Sequence, residues 1–170
     1  MSMIDQELLR RDALKLGAGL VTIAGTTLGQ TDWKPAVLDP HQLSTVEVLE
    51  ELIIPTTDTP GAKTALVHRY IDLFLDAGAD ADRKAFLDGL NWLDGYSLKK
   101  HEQPFVKLTE PQQIAILTTL DRQTEVGVDE GTRFFRQAKM MVSRIYYNTK
   151  IGYDELNKGG RVPATYGCKA

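Results

Sequence analysis

One cysteine, Cys168, and three histidines, His41, His68 and His101, are all the thiol and imidazole chemistry in 170 residues. A lone cysteine excludes an internal disulfide framework, every multi-cysteine metal site and the Cys-x-x-Cys-His attachment of a c-type haem. The chain also lacks a strong charge of either sign: 20 basic against 23 acidic residues give a formal net charge of −3. No basic block stands out in the body, so the electrostatic footprint of a nucleic-acid binder is missing and no nucleic-acid partner is expected. After the first 30 or so residues no apolar run reaches membrane-span length, and no run alternates with the period of two that a half-buried strand requires. The chain has no Gly-x-Ser-x-Gly elbow and no His-Glu-x-x-His, and no strand precedes the closely spaced glycines at 17–25 or 159–160. A nucleotide or flavin cradle is therefore not indicated, because the backbone approach to a pyrophosphate needs that strand–glycine–helix order.

What is present begins with LRRDALKLGAG at 9–19. Arg10 and Arg11 are adjacent, Leu14 and Lys15 follow at the offsets of a twin-arginine export signal, and Leu16 to Leu28 is apolar but diluted by glycines and threonines. That pattern suits an address better than a first helix, being too short and glycine-rich to span a bilayer. Asp5 and Glu7 make the start less cationic than usual, and Thr27-Leu28-Gly29 is the small-x-small site on offer for cleavage. Residues 1–30 are read as a twin-arginine signal segment and 31–170 as one helical domain of about 140 residues, long enough for a single core.

Within that domain, 31–40 carries two prolines and no periodicity and reads as a linker or a segment laid over the surface. A first helix is expected from Leu43 to Pro55, with Leu43, Val46, Leu49, Leu52 and Ile53 inward and Glu47, Glu50 and Glu51 outward. Asp58-Thr59-Pro60 resembles a cap with a first-turn proline for a second helix, which would bury Leu66, Val67, Tyr70, Ile71 and Phe74 and end at Gly78. A third runs from about Asp82 to Leu98 around Phe86, Leu90 and Leu93, with Gly89 and Gly95 as weak points. Thr109-Glu110-Pro111-Gln112 has capping-box spacing for a fourth, burying Ile114, Leu117 and Leu120. Phe134, Phe135, Ala138, Met141, Val142, Ile145 and Tyr146 hold a sustained helical period for a fifth. Beyond Asn148 the glycines and Pro163 argue for a loose tail. The fold class is all-α, an irregular bundle of about five helices with an extended C-terminal tail.

Candidate chemistry is thin. His68 and Asp72 stand four apart on one helix face and offer two metal ligands, but no further ligand is identified, so a helix-surface pair is the simpler reading. Trp33, Trp92 and the six tyrosines suit a ligand pocket, or equally a core or an interface. Catalytic, cofactor-binding and metal residues are assigned to none of the positions. A small helical protein with no cofactor site of its own, sent by a route that moves folded cargo, suits a subunit laid against a cofactor-bearing partner.

The residues also carry a resemblance. Leu52-Ile53-Ile54-Pro55, leading through Asp58-Thr59-Pro60-Gly61-Ala62 to Val67 and Tyr70-Ile71-Asp72, is similar to the small subunit, subunit 3, of membrane-associated gluconate 2-dehydrogenase and related sugar dehydrogenases. Phe86 with Gly89-Leu90, Phe134-Phe135, and Tyr146-Tyr147 through Gly152-Tyr153 look like its later landmarks, so the likeness spans most of the chain after the signal. The resemblance implies a chain that is not catalytic in isolation, the partner of an FAD-containing large subunit of the glucose-methanol-choline type and often of a multihaem cytochrome c. It implies acceptor-dependent oxidation of a sugar or sugar acid at the partner's FAD, with electrons passing to haem c. The small subunit would escort the large one through the twin-arginine translocase to the periplasm, peripheral to the inner membrane through its partners. Cys168, odd in an exported protein, is a candidate for an intermolecular disulfide or a free thiol. The competing expectations are an independent periplasmic binding protein or small enzyme built on a His68/Asp72 pocket, and a general periplasmic folding factor.

Overall fold

The computed structural model describes residues 33–123 and 129–157. Among the described residues there are six α-helices, one 3₁₀ turn and no strand, as the all-α reading requires. The first helix, α1 (Pro40–Ile53), starts three residues ahead of its expected start because Pro40 occupies the first turn, where its missing N–H costs nothing. Asp39 caps it: the side chain accepts from the amides of His41 and Gln42, each at 2.8 Å, and the Gln42 side chain accepts from the Asp39 amide at 3.1 Å. This is a reciprocal capping box.

The expected cap for the second helix fails. The Asp58 carboxylate accepts from the Thr57 hydroxyl, and Pro60 sits in a loop that turns back on α1, with the Ala62 amide donating to Ile54 O at 2.9 Å. Leu66 then takes a left-handed φ of 57°, and α2 (Val67–Ala77) begins only after it. The loop is tied across the molecule by Tyr146, whose phenol donates to Pro60 O at 2.8 Å.

Helix α3 (Asp80–His101) buries Phe86, Leu90 and Leu93 as expected. Acids in its first turn and Lys99, Lys100 and His101 in its last complement the helix dipole. A 3₁₀ turn, Phe105–Lys107, inserts the fully buried Phe105. Helix α4 (Glu110–Gln123) buries Ile116, Leu117 and Leu120 and leaves Ile114 exposed, so its buried stripe is rotated from the expected one. At its start the Gln112 side chain accepts from both the amide and the hydroxyl of Thr109.

Helix α5 (Glu130–Asn148) is the axis of the bundle, packing against all five other helices. Phe134, Phe135, Ala138, Val142 and Tyr146 are buried, with Met141 and Ile145 half-buried against the core. Its crossing with α3 depends on Gly89, where an added Cβ would lie 2.1 Å from the Phe134 ring. The expected weak point is thus a required close approach. The tail corrects the sequence reading too: α6 (Lys150–Leu156) continues after Thr149, whose hydroxyl donates to Tyr146 O and accepts from the Gly152 amide. Gly152 is present for packing, since a Cβ there would come within 2.1 Å of Tyr146 O. No described helix is long and apolar enough to cross a membrane.

Candidate functional site

The expected inward face of α2 is rotated in the structure. Val67, Ile71 and Leu75 are buried, but Leu66, Tyr70 and Phe74 are exposed, and the buried positions beside the apolar ones belong to His68 and Asp72. Helical spacing alone does not choose between two apolar stripes on one helix, and α2 has both.

His68 and Asp72 are therefore interior, which overturns the surface-pair reading, and their polar atoms are taken by different partners. His68 Nδ1 lies 2.6 Å from Glu50 Oε1 of α1, and both side chains are buried. Asp72 accepts three backbone amides from the segment ahead of α1: Ala36 at 2.7 Å, Val37 at 3.0 Å and Leu38 at 2.9 Å. A carboxylate so engaged fastens the chain entering α1 to α2, and it is not offered to a metal or a substrate. His68 and Asp72 are thus held by separate partners, α1 on one side and the entering chain on the other.

Glu50 is the residue that sequence reasoning misplaced most. Set on the outer face with Glu47 and Glu51, it is instead 0 % exposed. Burial raises its carboxyl above the ordinary value, against the opposing hydrogen bond and charge of His68. The signal available in the sequence was the i, i+4 histidine and aspartate on an otherwise apolar α2 stripe, since buried polar groups demand partners.

His41, Trp92 and Tyr96 are engaged within the fold. His41 Nε2 pairs with Asp94, whose second oxygen accepts from the Phe105 amide at 2.9 Å. Trp92 stacks on Tyr96 with ring centroids 5.2 Å apart, and Lys100 lies over the Tyr96 ring. Among the described residues no group of three histidine, cysteine or acidic side chains is placed to hold a metal. Arg10, Arg11, Leu14, Lys15 and Cys168 lie outside the described residues.

Among the described residues a groove of about 600 Å³ lies between α2 and α5, walled by Tyr70, Leu73 and Phe74 on one side and Met140, Met141 and Ile145 on the other. Leu73 is 60 % and Met140 65 % exposed, so this is an open trough of large apolar side chains. A trough of that kind marks a contact surface more readily than a catalytic cleft.

Comparison with curated proteins and with solved structures finds no match. A family model does match: that of gluconate 2-dehydrogenase subunit 3, over residues 40–160. The matched stretch starts at the first residue of α1 and runs beyond α6, taking in the capped α1, the Pro60 loop, the α3–α5 crossing at Gly89 and the Gly152 turn. On that match over most of its length, the chain belongs to the gluconate 2-dehydrogenase subunit 3 family.

Proposed function

We propose that this chain is the non-catalytic small subunit of a membrane-associated, FAD-dependent gluconate or sugar dehydrogenase, and that it serves the export, maturation and stability of the flavin-bearing large subunit. The family match over residues 40–160 carries the reading. It is supported by the use of the interior polar groups: Glu50, His68 and Asp72 bond to each other's helices and to the entering chain. The chemistry then resides in the partner, of the glucose-methanol-choline type, whose FAD oxidises a sugar alcohol group and passes electrons to a multihaem cytochrome c. Arg10 and Arg11 provide one address for two proteins, carrying the folded pair through the twin-arginine translocase to the periplasmic face of the inner membrane. Cys168 is proposed to reach the partner as an intermolecular disulfide.

The test is to purify the C-terminally tagged full chain from the periplasm of its own host, with Arg10-Arg11 intact or replaced by lysines. One stoichiometric large partner with flavin absorbance, absent from the periplasm of the Lys-Lys variant, is the expected result. A colourless, solitary protein refutes the subunit role, and many sub-stoichiometric partners would indicate a general folding factor. A non-reducing gel of the complex reports separately on Cys168: no large species that collapses on reduction means no disulfide.

A further inference from the structure

The groove between α2 and α5 is an open apolar trough with two helical walls. Helix α2 is apolar on two sides, with Val67, Ile71 and Leu75 in the core and Tyr70, Leu73 and Phe74 turned out, the last three all more than half exposed. Opposite them, Met140, Met141 and Ile145 form the facing wall on α5. Small-ligand sites enclose most of their occupant, whereas an open trough between two helices takes the apolar stripe of a third. The eleven residues of α2 make a wall of about 16 Å, or three turns, which sets the length of the segment received.

Charge gives the occupant its sign. Helix α5 carries Arg133, Arg136, Lys139 and Arg144 against the single acid Glu130, on a chain whose net charge is −3. Lys139 pairs with Asp121, while among the described residues neither Arg133 nor Arg144 has an ion-pair partner. Arg144 lines the groove, and Arg133 stands on the same ridge of α5 as Gln137 and Met140, eleven positions and about 16 Å away, beyond the lining residues. On the far rim Arg83 is already tied to Leu75 O and Asp80, and Asp82 is the one acid among the described lining residues.

We propose that this groove receives an amphipathic helix of the flavin-bearing large subunit, apolar on the inserted face and acidic along the edge that meets Arg133 and Arg144. The inference rests on the subunit role proposed above and adds where the contact lies. It is tested on the complex purified through the tagged chain, comparing wild type with Leu73→Ser/Met140→Ser, Arg144→Glu, and Leu98→Ser as an exposed apolar comparator on α3. Recovery of the flavoprotein is expected to fall at least tenfold for the double variant and severalfold, more steeply at low salt, for Arg144→Glu. Leu98→Ser should retain it, and thermal midpoints should not move, since every altered side chain is solvent-facing. A photo-crosslinking residue at Phe74, which needs no loss of binding, should join the flavoprotein one to one, while the same residue at Leu98 should not.

The inference is overturned if the double variant retains wild-type recovery, or if Leu98 crosslinks and Phe74 does not. It is equally overturned if the double variant only converts a dimer of this chain to monomer, or only releases a small apolar molecule. A wild-type chain that brings down no flavoprotein refutes the subunit role and this contact together. A wild type that brings it down equally with every variant refutes this contact alone.

Discussion

Removing the Asp72 carboxylate should be among the costlier single polar changes in the domain. Three backbone amides donate to it at 2.7–3.0 Å. In Asp72→Ala the Leu38 amide, on a residue 3 % exposed, loses its acceptor with no access to water, worth about 1–3 kcal/mol. Ala36 is exposed and Val37 half-buried, so their amides rehydrate in part, at about 0.5–1 kcal/mol each. The sum is about 3 kcal/mol, or roughly 10–15 °C in the thermal midpoint of a domain this size. Asp72→Asn keeps one acceptor oxygen but turns an NH₂ toward an amide donor, so about half that loss is expected. Thermal and urea unfolding of the full chain, with hydrogen exchange at Ala36, Val37 and Leu38, measures both the energy and its location. A loss under about 1 kcal/mol in Asp72→Ala, or unchanged exchange at those three amides, would refute the account of the clasp.

The two α3 glycines should behave oppositely. Gly89→Ala drives a Cβ into Phe134 and should cost upwards of about 2 kcal/mol, whereas Gly95, with open space around it, should gain about 0.5–1 kcal/mol as alanine; urea midpoints of the pair decide this. Burial raises Glu50 above its ordinary value near 4.5, so the native state binds the proton more tightly than the unfolded chain. Its contribution is fully present below that pH and is lost as pH rises through the native value, so Glu50→Gln should gain on wild type across that window in a stability–pH profile. A constant gap would show that Glu50 does not titrate with folding. Asp129 is held below its ordinary 3.8 by the Thr132 amide it caps. Asp129→Ala should cost about 1 kcal/mol near neutrality, and the gap should close as pH falls below 3.8 through the lower native value.

Legibility in the sequence followed the number of plausible faces a helix has. Helix α5 has one broad apolar stripe, and its seven expected inward residues are all buried or half-buried. Helix α2 has two, and the one facing the core is the one interrupted by His68 and Asp72, since their partners Glu50 and residues 36–38 are distant in sequence. Periodicity weighs polarity locally, so it placed Tyr70 and Phe74 inside and Glu50 outside. Glycine misled in the same way: Gly89 and Gly152 look like breaks, yet each lies where another group approaches too closely for a Cβ. The Ile-Ile-Pro to Tyr-Ile-Asp element, on which the resemblance rests, spans the end of α1, the Pro60 loop and the Asp72 anchor.

The Asp72 clasp has a mechanical consequence. Tension on the chain ahead of residue 36 does not first unwind α1 from its capped end. It is shared among three hydrogen bonds that end on one side chain, and so enters the molecule at the middle of α2, beside Ile71 and Leu75 in the core. A domain loaded there resists being peeled turn by turn from its leading end, as a rope holds when it is cleated well inboard.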